Sequence, residues 1–257
     1  LPQRRRMTYR ELAVAVDRVA AGLLAIGFAR GDRVGVWSTN NIEWLVLQMA
    51  TVRCGIVLVD LNPAYRSAEL EYALRKSEVQ GLVTIPCFRS SRYLEMLGEI
   101  VPELHGASPG HLTSDALPQL RRVVVYDPGD PRSTERALPG LTLWGELLAA
   151  GDKADPDLLS RIEERLDPDD PINIQYTSGT TGFPKGAVLS HGNVVSNVWT
   201  TVHHCGYTAD DRMALFLPAF HVFGQNFIMN ATFQACATLA LYRRFEPDKV
   251  LASIARD

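Results

Sequence analysis

Gly55-Ile56-Val57-Leu58-Val59 decides the fold class, because a glycine stop followed by a strongly β-branched run reads as a short strand. Upstream of it, Asn41 is placed to cap a helix over Ile42 to Arg53, and Arg33 to Trp37 supplies another strand. Further back, Thr8-x-x-Glu11 is a capping-box pattern. Behind it Leu12, Val16, Val19, Leu23 and Ile26 recur at steps of four and three, which predicts an amphipathic helix closed by Gly27. Downstream, a helix near Ala68 to Ser77 leads to the strand Gly81-Leu82-Val83-Thr84-Ile85. Strands at spacings that admit a crossover helix predict an α/β fold, with parallel-sheet layers flanked by helices.

From about His105 to Gly140 the composition turns to Pro, Gly, Ser and Asp, with one short strand candidate at Val123 to Tyr126, and it reads as a connector. Helices follow over Leu141 to Ala150 and Leu158 to Leu166. In Asp167-Pro168-Asp169-Asp170-Pro171 two prolines then forbid helix continuation and reset the chain to an extended path. A first α/β subdomain is expected over 1–166 and the start of a second over 167–257. The second reads as strand Ile172 to Thr177, a Gly/Thr-rich loop, strand Ala187 to Leu189 and a helix from Asn193. A strand Met213 to Leu217, a helix near Phe223 to Phe233 and a strand Ala237 to Tyr242 complete it.

Composition narrows the function. The chain has 257 residues, 46% hydrophobic and 21% charged, with a net charge of −3, which excludes a disordered scaffold and gives no electrostatic reason to expect nucleic acid. Cys54, Cys87, Cys205 and Cys236 form no C-x-x-C pair, so neither a disulfide framework nor a thiolate metal site is expected, and a reducing, cytoplasmic setting is. The apolar stretch Leu45 to Leu61 is broken by Gln48, Arg53, Gly55 and Asp60, so no transmembrane segment is expected. The amino end, Leu1-Pro2-Gln3-Arg4-Arg5-Arg6, reads as a cut edge rather than a secretion signal.

Tyr176-Thr177-Ser178-Gly179-Thr180-Thr181-Gly182-Phe183-Pro184-Lys185-Gly186 is the stretch that carries chemistry. Glycines let backbone N–H groups turn toward anionic oxygens, hydroxyls add donors without bulk, and the lysine adds a point charge. Lysine is scarce here, with only Lys76, Lys153, Lys185 and Lys249 in the chain. A Walker A loop is rejected, since Pro184 stands where its second glycine belongs and Gly186 follows the lysine.

This loop resembles the phosphate-loop signature of the adenylate-forming superfamily, which includes acyl-CoA synthetases, luciferases and peptide-synthetase adenylation domains. Gly31-Asp32-Arg33-Val34, Asn41-x-Glu43-Trp44 and Leu61-Asn62-Pro63-Ala64-Tyr65 resemble the opening of fatty-acyl-CoA synthetases. Asp170 to Gln175 and Leu189-Ser190-His191-Gly192-Asn193 are similar to the medium- and long-chain branch. Leu217-Pro218-Ala219-Phe220-His221-Val222-Phe223-Gly224 resembles the family's second marker, where the acyl carboxylate meets ATP.

The resemblance implies ATP-dependent activation of a fatty acid to an acyl-adenylate and then to acyl-CoA, with ATP, Mg2+ and coenzyme A as cofactors or co-substrates. It assigns Thr177, Ser178, Gly179, Thr180, Thr181, Gly182 and Lys185 to the β- and γ-phosphates, and Lys185 and His221 to the catalytic centre. A helix with Phe223, Phe227, Met229 and Phe233 then lines either an acyl tunnel or an ordinary core. The family's adenine-contacting Gly-Tyr-Gly-x-Thr-Glu, its ribose-binding Thr-Gly-Asp and the carboxy-terminal domain with a catalytic lysine do not occur in this chain. The expectation is an amino-terminal half that is inactive alone. Alternatives are a non-catalytic nucleotide- or acyl-binding remnant, an aryl or short-chain acid-CoA ligase, and a phosphotransferase.

Three other features read as structure. Arg30-Gly31-Asp32 sits in a turn entering a strand, His203-His204-Cys205 lacks a distant partner pair for zinc, and Asp167, Asp169 and Asp170 suit turn chemistry beside prolines, so no metal site is expected.

Overall fold

A computed structural model describes residues 5–130, 137–177 and 184–256. The chain begins with helix α1 (Tyr9–Ala25), strand β1 (Arg33–Trp37), α2 (Ile42–Arg53), β2 (Val57–Asp60), α3 (Ser67–Lys76) and β3 (Gly81–Thr84). It continues through α4 (Tyr93–Ile100), a 3-10 turn at Pro102–His105, β4 (Arg122–Val125), β5 (Leu141–Leu143), α5 (Trp144–Gly151) and α6 (Leu158–Glu163). Then come β6 (Pro171–Thr177), β7 (Lys185–Ser190), α7 (His191–Cys205), β8 (Arg212–Leu215), a π-helix (Phe223–Asn230) running into α8 (Ala231–Gln234), β9 (Thr238–Leu241) and α9 (Pro247–Arg256).

The local signals act as physics requires. Thr8 Oγ1 accepts from the Glu11 amide at 3.2 Å while the Glu11 carboxylate accepts from the Thr8 amide at 2.7 Å, which satisfies two orphan donors at the start of α1. Asn41 Oδ1 accepts from the Trp44 amide at 2.8 Å and opens α2.

Strands pair in the order β5-β4-β3-β1-β2-β6-β7, all parallel except for the antiparallel β6–β7 edge, and β8 and β9 form a separate parallel pair. The α/β class with a mainly parallel, helix-flanked sheet is therefore the observed one. The sheet crosses the boundary expected at 166/167, because β6 pairs with β2 through Leu58↔Asn173 and Asp60↔Gln175.

Several expectations are corrected. Leu141 to Leu143 is strand rather than helix: its residues are buried against β4, and the Glu146 carboxylate accepts from the Leu143 amide at 2.8 Å, so the helix starts only at Trp144. The sequence reading placed no element at α4, whose buried Tyr93, Leu97 and Ile100 recur at steps of four and three, nor at α9. The helix near Phe223 is a π-helix for its first eight residues.

The core lies under β1 to β4. Val34, Val36, Trp37, Leu58, Leu82 and Val123 are buried. Trp37 stacks on Tyr93 with centroids 3.9 Å apart. Trp37 Nε1 donates to Asn62 O at 3.2 Å and Tyr93 Oη to Pro63 O at 2.6 Å, so the aromatic pair also fixes the loop leaving β2. Helices α1 and α5 touch backbone to backbone: a Cβ at Gly22 would stand 2.4 Å from Leu147 O and one at Gly151 2.1 Å from Arg18 O. No helix among the described residues is long and apolar enough to cross a membrane.

Candidate functional site

Parallel pairing puts the carboxyl ends of β1, β2 and β6 at one edge of the sheet, the place where open α/β sheets receive ligands. Thr177 is the last residue of β6 and Lys185 the first of β7, and the two are register partners, so both ends of the Gly/Thr-rich loop meet there. Thr177 and Lys185 are exposed, and Thr177 Oγ1 donates to Lys185 O at 3.4 Å. Ser178, Gly179, Thr180, Thr181 and Gly182 lie outside the described residues.

Helix α3 holds the base of this loop. Tyr176 Oη donates to Ala73 O at 2.9 Å and pairs with Ser77 Oγ at 2.7 Å, and Tyr72 Oη donates to Pro184 O at 3.3 Å. Burial raises the Tyr176 phenol above its ordinary value, so it remains a neutral donor.

His221 stands exposed in the turn between β8 and the π-helix. Its Nδ1 accepts from the Phe223 amide at 3.2 Å, which in the neutral ring places the proton on Nε2 and leaves that N–H as a donor. The turn is tight: the His221 amide donates to Pro218 O at 3.2 Å, and a Cβ at Gly224 would stand 2.3 Å from the same carbonyl.

Buried amides fix this turn to the sheet, and the sequence reading missed them. Asn40, just past β1, donates to Leu217 O at 2.8 Å and Tyr242 O at 3.2 Å and accepts from the Ala219 amide at 2.8 Å. Gln225 Nε2 donates to Asp60 Oδ2 at 2.9 Å, as does Asn173 Nδ2, and Gln175 Nε2 donates to Gln225 Oε1. Asp60 is buried, and desolvation pushes its carboxyl up to about 8 against the pull of its amide partners. An acid terminating a β-branched run was the available signal, and it read only as an interruption of an apolar stretch.

The four residues read as either tunnel or core part company. Met229 is fully buried, Phe233 packs edge-on against Tyr9 with centroids 6.0 Å apart, and Phe223 stacks on Phe227 at 4.7 Å. A cavity of about 550 Å3 opens beside the His221 turn, with Asn40, Pro218, Phe220, Arg66, Arg89 and Arg243 in its lining.

The remaining motifs are occupied structurally. Asp32 pairs with Arg121, and Asp170 with Arg30 at 2.6 Å. Asp167 Oδ1 accepts from the Asp169 amide at 2.9 Å. His203 Nδ1 donates to Trp199 O at 2.8 Å. All four cysteines are free.

Fold and site together define an α/β protein in which the β6–β7 connection leaves and re-enters at the carboxyl edge of a parallel sheet and a histidine turn is tied to the same edge through Asn40 and Gln225. The chain belongs to the AMP-binding enzyme family, whose model matches residues 2–256. It is 43% identical to the medium-chain acyl-CoA ligase ACSF2, mitochondrial, of Danio rerio over 85% of this chain and 35% of that protein. With the Mus musculus protein of the same name it shares 40% identity over 98% of this chain and 41% of that protein. The crystal structure of ATP-bound MatB from Rhodopseudomonas palustris superposes with a TM-score of 0.74 at 31% identity, covering 96% of this chain and 42% of that one. The chain thus spans well under half the length of these relatives.

Proposed function

We propose that this chain contributes the phosphate-gripping loop and the carboxylate-orienting histidine of an AMP-forming fatty acid-CoA ligase. The substrate carboxylate attacks the α-phosphorus of ATP, pyrophosphate leaves, and the thiol of coenzyme A displaces AMP from the acyl-adenylate. No side-chain nucleophile is needed, so the protein's task is alignment and neutralisation of the charge that builds on the leaving phosphates. Thr177, Ser178, Gly179, Thr180, Thr181, Gly182 and Lys185 take the β- and γ-phosphates in this reading, and His221 offers its Nε2–H to oxygen where carboxylate and α-phosphate meet.

The observation that carries it is the register pair Thr177↔Lys185, which brings both ends of the loop to the sheet edge to which Asn40 and Gln225 also tie the His221 turn. Among the described residues no group of three or more His, Cys, Asp or Glu is placed to hold a metal ion, so Mg2+ enters this proposal as the ion carried by ATP. A medium-chain fatty acid is the proposed substrate, by similarity to the medium-chain acyl-CoA ligases among its relatives; the aryl or short-chain alternative is separable by an acid panel. The division into a first subdomain over 1–166 and a second from 167 belongs to the proposal only as a division of labour, since the sheet crosses it. A reducing compartment is proposed, cytoplasmic or mitochondrial.

Lys185→Met tests the reading. In a polypeptide that carries this chain together with the remainder its relatives have, acid-dependent ATP–pyrophosphate exchange is expected to fall about 10²–10³-fold, the usual loss when one preorganised charge donor is removed. Exchange unchanged by that substitution, or ADP in place of AMP as product, would overturn it. The 257-residue chain by itself is expected to bind ATP·Mg without turnover.

A further inference from the structure

Asp60 closes β2 with only 1% of its surface exposed, and it faces amides alone. Asn173 and Gln225 both donate to Oδ2 at 2.9 Å, and Gln175 donates to Gln225. Around it β1 presents Val36 in register, β6 presents Gln175, and the π-helix presents Gln225. None of these side chains titrates, and no charged group acts on Asp60 among the described residues.

Two buried oxygens in this cluster, Asp60 Oδ1 and Asn173 Oδ1, have no hydrogen-bond partner among the described residues. A buried acceptor left without a donor is costly. A carboxylic acid and a primary amide pair in a cycle, amide N–H to one acid oxygen and acid O–H back to the amide oxygen. The Asn173 Nδ2 to Asp60 Oδ2 bond is one half of that cycle, and a proton on Asp60 Oδ1 would supply the other half with the orphaned pair of oxygens.

The cluster also sits between the two parts of the candidate site. Gln225 lies four residues past His221, and its amide donates to His221 O at 3.0 Å. Gln175 lies two residues before Thr177 on the same strand.

We propose that Asp60 is a positioning residue: held as a neutral acid paired with the Asn173 carboxamide, it fixes, through Gln225, the turn that carries His221 against the strand that ends in Thr177. This rests on the reading of His221 as the group that orients the substrate carboxylate. Desolvation keeps the acid protonated at neutral pH. Ionisation removes the donor from the cycle and places an uncompensated charge in the seam, so the His221 turn shifts when Asp60 loses its proton.

The test follows the Asp60 carboxyl carbon and the His221 ring by NMR on the 257-residue chain from pH 5 to 9.5. The Asp60 carbon is expected to titrate with a midpoint near 8, and the His221 ring signals to show an added inflection at that same midpoint. In Asp60→Asn, whose amide N–H replaces the acid O–H, that added inflection disappears while the ring signals at low pH stay as in the parent. Asp60→Val displaces them at every pH; if it fails to fold, the parent and Asp60→Asn carry the test. An Asp60 carboxyl ionised throughout, or His221 curves identical in parent and Asp60→Asn, would overturn the proposal. Calorimetric titration of the same samples with ATP·Mg reports separately on the loop, so that absence of binding there counts against the proposed function and leaves the Asp60 coupling readable.

Discussion

The strands of the two sheets fall into two unlike halves. Strands β2 and β3 are buried at every position and β1 and β4 at all but their first, whereas β7 is exposed at four of six positions and β8 and β9 bury little. Val188 on β7 and Val195 and Trp199 on α7 stand more than half exposed. Both halves use apolar, β-branched residues, so hydrophobicity alone does not separate them. What separates them is cover: α1, α2, α3 and α5 close over the first half, and the faces of the second meet fewer elements. Stability is therefore concentrated under β1 to β4, and the candidate site lies where the covered half ends.

The largest effect is expected in the covered half. Trp37→Ala removes a fully buried ring, its stack on Tyr93 and its bond to Asn62 O, and should cost about 3–5 kcal/mol in denaturant unfolding. A loss no greater than that of an exposed apolar residue would break the comparison.

At the border, stability should depend on pH through Asp60. Its carboxyl is raised in the folded chain from 3.8 to about 8, so the contribution is fully present below pH 3.8, where both states hold the proton. Between those values the unfolded chain releases a proton that the folded chain keeps, and stability falls as pH rises, by up to about 1.4 kcal/mol per pH unit. The surface carboxylates of Asp152, Asp155 and Asp170 are lowered by arginine and backbone partners and act in the opposite sense at acid pH. The measurement is accordingly the difference between the parent and Asp60→Asn across pH 4 to 9, and parallel curves would refute the assignment.

The smallest effect is expected in the exposed half. Trp199→Ser should change unfolding free energy by no more than about 0.5 kcal/mol, as surface substitutions usually do, while lowering self-association in light scattering. A cost of several kcal/mol would show that α7 is held by its indole and that the two halves are alike.

Legibility followed the same division. Thr8-x-x-Glu11, Asn41 and the run Ile56 to Val59 announced α1, α2 and β2 because caps and β-branched runs act over a few residues. Leu141-Thr142-Leu143 misled because three apolar-flanked residues before Trp144 suit a helix until the β4 edge is present to pair with them. Lys185 and His221 stood out through motif and chemistry, whereas Asn40, Asn173, Gln175 and Gln225 did not, since an amide has no charge or periodicity to mark it. Only their convergence on Asp60 and on the Leu217–Ala219 segment gives them a role.

By itself the sequence determined most of the order of strands and helices, the family and the Gly/Thr-rich make-up of the stretch between β6 and β7, because each of these is written in residues close together in the chain. Tertiary structure alone decided which strands became neighbours, that β6 and β7 join the first sheet, and that a carboxyl at position 60 meets amides from positions 173 and 225. Those outcomes depend on which groups lose water together, and burial of that kind is a property of the assembled sheet rather than of any segment in it.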